Sequence, residues 1–273
     1  MSDYNRNIAT PFGQAAGQAR SVAVDEGLRA YMLRVYNYMT LGLAITGLAA
    51  LGIYMLSVTG DLASAAKVMR NGAEVPARIA GNMYLTNIGT LVYLSPLKWV
   101  IMLAPLAMVF VLSFGVHRMR PATAQVAFWI FAALMGLSLS AIFLVFTHTS
   151  IVRVFFIAAA SFGALSLWGY TTQRDLTSMG SFLMMGLFGV ILASLVNLFM
   201  ASSALQFVIS VVGVLVFAGL TAWDTQRLKN EYLSGAMDGD TAEKSAISGA
   251  LSLYLNFINL FTLLLQLLGQ REE

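Results

Sequence analysis

Cysteine is absent from this sequence of 273 residues. Its absence excludes disulfides, a thiolate nucleophile and a cysteine metal site, and it leaves the redox compartment undetermined. Histidine is scarce as well, with 2 residues in the chain. His117 and His148 lie far apart at the ends of apolar segments, which does not suggest a metal site, and we expect both to anchor the ends of those segments.

Motifs that carry catalysis are also missing. The sequence has no H-E-x-x-H zinc motif, no G-x-S-G serine motif and no phosphate-binding Walker loop. A catalytic interpretation therefore lacks a nucleophile, a set of metal ligands and a phosphate cradle. We expect a protein that is not an enzyme and that carries no cofactor.

Charged residues are also few. Charged residues make up 11% of the chain, whereas soluble proteins contain about 25%. Hydrophobic residues make up 58%, and the mean hydropathy is +0.75. Apolar runs recur from Tyr36 to the C-terminus with short breaks and leave no room for a separate aqueous core. The chain is therefore expected to form one domain in a lipid bilayer, and nucleic acid is not an expected partner.

The apolar runs have the length of transmembrane helices, about 20 residues each. Continuous apolarity predicts helices, because strands of a membrane barrel would alternate between apolar and polar residues. The sequence thus predicts an all-α integral membrane protein, a bundle of seven transmembrane helices. The predicted spans are 36–58, 97–116, 124–146, 151–170, 179–200, 204–224 and 246–268. The rest is an N-terminal tail, 1–35, a polar loop, 59–96, and a C-terminal tail, 269–273.

Lysine and arginine are distributed unevenly over the two sides of such a bundle. If the N-terminal tail is cytoplasmic, ten of the 16 Lys and Arg residues lie on the cytoplasmic side and six on the other. Four of those six lie in or beside the loop 59–96, and without them the bias is ten to two. The positive-inside rule therefore predicts a cytoplasmic N-terminus, with the loop 59–96 outside.

Polar residues recur along the last predicted span, around the stretch "LYLNFINLF". Their spacing of three or four residues places them within an arc of roughly 120° on one helix face. The residues are Ser248, Ser252, Asn256, Asn259, Thr262 and Gln266. Lipid offers no hydrogen-bond partners, so this face must meet protein or water, and the helix is expected inside the bundle. Interhelical hydrogen bonding is the favoured role for the Ser and Thr residues, whereas for Asn256 a hydrated path is an equal alternative.

One carboxylate can be assigned to a span. Asp224 lies near the predicted cytoplasmic end of the sixth span, in "GLTAWDTQRLK". An intramembrane carboxylate is by default a functional-site candidate. Alternatively, Asp224 is a helix-end charge paired with Arg227 or Lys229 about one turn further on. Position alone does not separate the two interpretations.

Five stretches of the sequence carry a resemblance to a known family. They are "HRMRPATAQ" (117–125), "FAALMGLSLS" (131–140), "WGYTTQRDLTSMGSFLMMGL" (168–187), "GLTAWDTQRLK" (219–229) and "LSLYLNFINLF" (251–261). In this order they resemble a bacterial member of the Bax inhibitor-1 family, also called the transmembrane Bax inhibitor motif family. The resemblance implies six helices around a central, polar seventh helix in the bacterial inner membrane. It further implies a passive, pH-sensitive calcium leak or, for some bacterial members, modulation of a membrane-bound ATP-dependent protease.

The family senses pH through a pair of aspartates, and this sequence keeps one. The aspartate of the family's D-x-Q segment matches Asp224, but the aspartate of its Y-L-D-F-I-N motif falls on Asn256, while Asn259 fits that motif. Two carboxylates in one site cannot both ionise cheaply and hold a shared proton. Because an amide removes this like-charge repulsion, we expect blunted pH gating. For the family's gating arginine, Arg118 is the nearest basic residue.

Calcium prefers oxygen ligands, and an amide carbonyl can serve as one. The resemblance therefore suggests a weak calcium site at Asp224 and Asn256, with Ser252 and Asn259 along the ion path. The leading hypothesis is a calcium-permeable leak channel. The alternative is a non-conducting regulator that binds a membrane protease or another membrane complex through its N-terminal tail.

Overall fold

The computed structural model of the protein describes residues 11–70, 73–80, 83–235 and 239–272, and the side chains in these ranges except those of 11–24, 70 and 80. Residues 1–10, the start of the predicted N-terminal tail, lie outside the described residues. Long helices dominate the described chain, as its continuous apolar runs predict.

Seven helices are long and apolar enough to cross a membrane, which confirms the predicted fold class. They are α1 (Pro11–Ser57), α2 (Leu97–Gly115), α3 (Pro121–Leu139), α4 (His148–Thr171), α5 (Thr177–Met200), α6 (Ser203–Leu233) and α7 (Gly239–Leu268). A helical turn, Val116–Arg118, follows α2, and a second one, Ser140–Leu144, extends α3. Each predicted span overlaps one of these helices over most of its length.

Helix α1 begins earlier than the predicted first span. The part that is apolar enough to cross a membrane runs Asp25–Ser57. Four side chains with helical spacing before residue 36 are buried, namely Leu28, Tyr31, Met32 and Val35. The charged residues of this stretch lie on the opposite, exposed face and lower the local hydropathy without preventing burial of the apolar face. Residues 25–35, predicted to belong to a tail, are therefore part of the bundle.

Short strands occupy much of the predicted loop 59–96 and add a small β element to the helical fold. They are β1 (Val58–Thr59), β2 (Lys67–Arg70), β3 (Ala73–Pro76), β4 (Arg78–Ala80) and β5 (Met83–Leu85). Strand β5 pairs antiparallel with β1 and β4, and β2 and β3 form a hairpin. Strands this short give no alternating pattern that a sequence could reveal. A helical turn, Asn87–Gly89, and a π-helical turn, Thr90–Leu94, lead into α2.

The predicted C-terminal tail is hydrogen-bonded to the turn between α3 and α4. The backbone N–H of Thr147 donates to Gln270 O at 2.9 Å, and the N–H of Glu272 donates to Val145 O at 3.0 Å. The Ser150 hydroxyl accepts a further bond from the backbone N–H of Gln270 at 2.8 Å. These bonds fix the end of α7 at the α3–α4 end of the bundle.

Helix α7 lies at the centre of the bundle, as predicted. It packs directly against α1, α3, α4 and α6, whereas α2 packs mainly on α3 and α5 mainly on α6. Tyr254 of α7 is fully buried, and its hydroxyl is 2.6 Å from the Thr46 Oγ1 of α1. Because lipid tails are as apolar as leucine, such close packing and interhelical hydrogen bonds, rather than water exclusion, hold these helices together.

Candidate functional site

Asp224 lies on the face of α6 that contacts α7, and its side chain is buried. Its Oδ1 is 2.6 Å from the Nη2 of Arg227, and its Oδ2 accepts a hydrogen bond of 2.7 Å from the Nδ2 of Asn256. An ionised carboxylate only accepts hydrogen bonds, so the amide of Asn256 must turn its NH₂ group towards it. Its carbonyl oxygen Oδ1 then points away from the carboxylate.

The antiparallel pairing of α6 and α7 brings these residues together. Helix α6 continues to Leu233, beyond the predicted end at residue 224, so Asp224 lies inside the helix rather than at its end. Further along this pair, Gly249 allows close approach, because a Cβ at that position would lie 2.5 Å from the Leu228 Cδ2. Asp224 and Asn256 therefore meet in a closely packed interface between two long helices.

Arg227 closes the site on its accessible side. Its side chain is 42% exposed, compared with 8% for that of Asp224. Its Nη2 also donates to the Ser252 Oγ of α7 at 3.3 Å, and its guanidinium lies 5.0 Å from the centre of the Trp223 ring. Arg227 thus spans the α6–α7 interface between water and a buried carboxylate.

The pairing with Arg227 that the alternative interpretation of Asp224 predicted is present, but it lies inside the helix rather than at its end. The carboxylate is also buried, and its functional role stays a prediction. Lys229, the other predicted partner, points elsewhere, and its Nζ donates to Tyr170 O on α4 at 2.9 Å. A buried carboxylate is costly to desolvate. Because its counterion Arg227 is half-exposed, movement of this side chain towards water would leave the carboxylate unpaired. This combination separates the site from an ordinary surface ion pair.

The polar face of α7 is its more accessible face. Ser248, Ser252, Asn259 and Thr262 are partly exposed and Gln266 is exposed, whereas neighbouring apolar side chains of α7 are buried. Helix α2 does not seal this face, because it packs mainly on α3. The helix is therefore central, as predicted, but much of its polar face is left partly open.

The middle of this face bonds to its own helix. Asn259 Nδ2 donates to Leu255 O at 2.8 Å, and Thr262 Oγ1 donates to Asn259 O at 3.0 Å. Interhelical bonding was the favoured prediction for Thr262 and is not what the structure shows. Ser252 does bond across the interface, to Arg227. Asn259 lies one turn from Asn256 and is not hydrogen-bonded to Asp224.

A second polar cluster lies at the other end of the face, where α5, α6 and α7 meet. The Oε1 of Gln266 accepts hydrogen bonds from Gln206 Nε2 and, at 3.0 Å, from Ser210 Oγ. Asn197 Nδ2 donates to Gln206 Oε1 at 3.0 Å. We call these four residues the amide cluster. The sequence analysis missed Gln206 and Ser210, although a glutamine and a serine four apart in an apolar helix are a usable signal.

Arg118, the candidate gating arginine, lies in the Val116–Arg118 turn after α2, and its side chain is exposed. This turn contacts α7. Within the described ranges, however, no ion pair or hydrogen bond joins Arg118 to Asp224, and Arg227 is the arginine that holds the carboxylate. A gating role for Arg118 therefore remains a prediction without a contact to support it.

The predicted calcium site would draw on few ligands. Among the residues that the structure describes, no three His, Asp or Glu side chains cluster in a way that could hold a metal ion. Calcium takes six to eight oxygen ligands. Asp224 and Asn256 would supply only part of this set, and water would have to supply the rest. Such a site would bind calcium weakly.

The regions that match known proteins include the helical bundle and the candidate site. The sequence model of the family described as Inhibitor of apoptosis-promoting Bax1 matches residues 28–273. An uncharacterized protein of Rickettsia prowazekii is 43% identical over 273 residues, which are 100% of both chains. The inner membrane protein YbhL of Escherichia coli is 41% identical over 248 residues, 90% of this chain and 94% of YbhL. Together with the seven apolar helices, these matches show that the chain belongs to the Bax inhibitor-1 family of membrane proteins.

Proposed function

We propose that the protein is a passive, calcium-permeable leak of a bacterial inner membrane in which ions follow the polar face of α7. The observation that carries this proposal is the buried Asp224 carboxylate, held by Arg227 and Asn256 beside that partly open face. A carboxylate within a span is costly and is typical of sites where charge is moved or sensed. The family resemblance, which implies a calcium leak, supports the same function.

The described arrangement corresponds to a closed state in this proposal. Arg227 neutralises Asp224 and lies across the route from the accessible side. A cation enters only when the half-exposed guanidinium swings towards water. It then meets the Asp224 carboxylate and the free carbonyl oxygen of Asn256. One charge and few ligands bind calcium weakly, and permeation needs sites that release ions as well as capture them.

The pH response follows from Asn256. A second carboxylate at this position would compete with Asp224 for ionisation, and the pair would share a proton. The amide has no charge to lose and donates a hydrogen bond instead. The opening of this leak is therefore expected to depend on displacement of Arg227 and only weakly on pH.

Orientation is the next part of the proposal. The excess of Lys and Arg on one side places the N-terminus and the Asp224 end of the polar face towards the cytoplasm, and YbhL is an inner membrane protein. The natural absence of cysteine makes single-cysteine labelling a clean test. In intact cells, a membrane-impermeant maleimide should label Ser64→Cys and spare Asp175→Cys, both of which replace exposed residues. Labelling of the second variant alone would reverse the orientation.

Calcium flux into liposomes tests the conduction itself. Purified wild-type protein is expected to pass calcium down its gradient into vesicles that contain a calcium indicator. Asp224→Asn removes the charge at nearly constant size and should lower the flux on the order of tenfold, because the entering cation loses its one anionic ligand. Asp175→Asn, at an exposed carboxylate outside the spans, serves as the matched control and should leave the flux unchanged.

The competing hypothesis is a regulator that conducts nothing and acts on a membrane-bound ATP-dependent protease or another membrane complex through its N-terminal segment. It makes the opposite prediction in the same assay. Wild-type flux would not exceed that of protein-free liposomes, and deletion of residues 1–24 would abolish the cellular effect. If monodisperse wild-type protein passes no more calcium than protein-free liposomes do, the leak hypothesis is rejected.

A further inference from the structure

A long groove separates α1 from α4, and none of its wall residues belongs to the polar face of α7. It consists of two cavities of about 710 and 440 Å³ that share Leu43, Phe155 and Phe257 in their walls. Helices α1 and α4 both pack on α7 but hardly on each other, so α7 forms the floor of the groove. The groove lies outside the proposed ion path.

The width of the groove is set by small residues. A Cβ atom added at Gly163 of α4 or at Gly47 of α1 would meet no atom within 4 Å. Apolar side chains at the rim are largely exposed, with Leu33 at 51%, Leu167 at 63% and Phe156 at 66%. The groove is therefore open and largely apolar, and it faces the lipid.

The first cavity ends in charged residues, whereas the rest of its wall is mainly apolar. Asp25 and Arg29 lie one turn apart on α1 at this end, and both are exposed. Within the described part of the chain, neither has an ion-pair partner at 4.0 Å or less. Deeper in the cavity, the hydroxyls of Tyr36 and Ser166 are hydrogen-bonded to each other. The charged groups thus lie at one end, and a mainly apolar surface extends from them.

We propose that the first cavity binds one phospholipid whose headgroup carries a phosphate and a primary ammonium, a phosphatidylethanolamine. The phosphate pairs with Arg29, the ammonium pairs with Asp25, and an acyl chain lies between α1 and α4 over Phe257. The cavity extends along α1 from Asp25 to Leu43, about 27 Å of helix. This length is enough to span one leaflet, which is about 20–23 Å, half of a bilayer of about 40–45 Å including headgroups.

The charges of Asp25 and Arg29 determine which headgroup the cavity prefers. One carboxylate and one guanidinium of the same wall complement a ligand that carries both signs, whereas an anionic headgroup would leave Asp25 facing a like charge. A choline headgroup has the same charges but no N–H group to donate to the carboxylate. Acyl-chain contacts supply affinity without distinguishing these lipids.

Native mass spectrometry of the detergent-solubilised full-length chain tests the site. The probes are phosphatidylethanolamine, phosphatidylglycerol and phosphatidylcholine with identical acyl chains, at equal concentration. One lipid per chain is expected, with phosphatidylethanolamine preferred roughly two- to fivefold, the effect of an exposed charge pair. Equal retention of the three lipids, or a preference for phosphatidylglycerol, would overturn the headgroup assignment.

Filling the groove tests where the lipid lies. Gly163→Leu places a side chain in the empty space and should lower retention on the order of tenfold, through lost acyl-chain contacts. Gly189→Leu is the matched control, because a Cβ at this glycine of α5 also meets no atom within 4 Å, and its site lies outside the groove. Ala159→Leu provides a second filling variant if Gly163→Leu is not monodisperse. Unchanged retention in a monodisperse filling variant would show lipid bound elsewhere on the surface.

Headgroup variants complete the test. Asp25→Asn should abolish the preference for phosphatidylethanolamine over phosphatidylglycerol, and Arg29→Gln should weaken retention of all three lipids. Neither residue belongs to the proposed ion path, so calcium flux through the purified protein should persist in both variants. Identical retention by both variants and wild type would reject the two charge contacts.

Discussion

The two ends of the polar face of α7 are both tied to α6, but by different chemistry. At one end, Asp224 carries a full charge and is held by Arg227 and by the amide of Asn256. At the other end, the amide cluster joins neutral groups, with Gln266 accepting from Gln206 and Ser210. Amides and hydroxyls do not titrate in the physiological range and cannot lose a counterion. Control by charge is therefore possible at the Asp224 end only.

The stretch between the ends sharpens this contrast. Asn259 and Thr262 satisfy their side chains on the backbone of α7 itself and remain partly exposed. They do not tie α7 to a neighbouring helix through hydrogen bonds that the structure describes. The polar face is thus joined to α6 by a charged contact at one end and by neutral hydrogen bonds at the other, and its middle is open. Each of the three parts can be changed by a separate substitution.

Removal of the counterion should have the largest effect. Arg227→Gln leaves the Asp224 carboxylate unpaired beside the open face, so calcium flux into liposomes should rise on the order of tenfold over wild type, because the cation no longer competes with a guanidinium. Lys229→Gln on the same helix is the matched control, since Lys229 bonds to the Tyr170 carbonyl instead of Asp224. A flux in Arg227→Gln equal to that of wild type would mean that Arg227 does not close the path.

Restoring the second carboxylate should create a pH response. In Asn256→Asp, two carboxylates share one site and one proton, so flux measured from pH 6 to pH 8 should become several-fold steeper than the shallow wild-type profile. Asn259→Asp is the control, because Asn259 bonds only to its own helix. Equal steepness in Asn256→Asp and wild type would remove Asn256 as the cause of the blunted gating.

One other carboxylate can be set aside in this pH range. Asp175 lies outside the membrane spans, before α5, and hydrogen bonds from Thr177, one of them from its backbone N–H at 2.9 Å, hold the pKa of Asp175 below its usual range. Asp175 therefore stays ionised from pH 6 to pH 8. A pH response that appears in Asn256→Asp cannot come from this residue.

Breaking the neutral end should affect stability more than conduction. Gln266→Leu removes the acceptor of both Gln206 and Ser210, and interhelical hydrogen bonds in membrane proteins contribute about 0.6 to 2 kcal/mol each. We expect a loss of about 1 kcal/mol in the free energy of unfolding in detergent, with an unchanged pH profile of flux. A pH profile altered as strongly as in Asn256→Asp would show that the two ends do not differ in the way described.

The sequence predicted the helices of this protein better than their contacts. Seven apolar runs reveal seven spans because lipid forces each run to be a helix, and periodicity alone placed the polar residues of α7 on one face. The first span was predicted to start at residue 36 because Arg29 and Arg34, on the exposed side of α1, lower the hydropathy of the stretch before it. Asp224 and Asn256 were brought together by family resemblance, since no sequence period connects two different helices.

Other contacts depend on packing that no local pattern reports. Gln206 and Ser210 meet Gln266 only because α6 and α7 run antiparallel in one register. Arg118 lies close to Arg120 in a basic turn and was the nearest candidate for a gating arginine, yet Arg227 makes the contact with Asp224. Which arginine reaches a buried carboxylate is decided by helix rotation, which hydropathy does not encode.

The smallest effect should come from the middle of the face, and it separates a hydrated path from a merely polar surface. Thr262→Val keeps the shape of the side chain and loses one hydrogen bond to the backbone of α7. Stability should therefore change by less than about 0.5 kcal/mol. If ions pass along this face, replacing the hydroxyl by a methyl group removes an oxygen that can contact a hydrated cation, and flux should fall roughly twofold.

Leu255, on the same partly exposed face, gives the control, since Leu255→Val exchanges one apolar side chain for another. A Thr262→Val flux equal to that of wild type, in a protein that still responds to Arg227→Gln, would place the ion path away from the middle of α7.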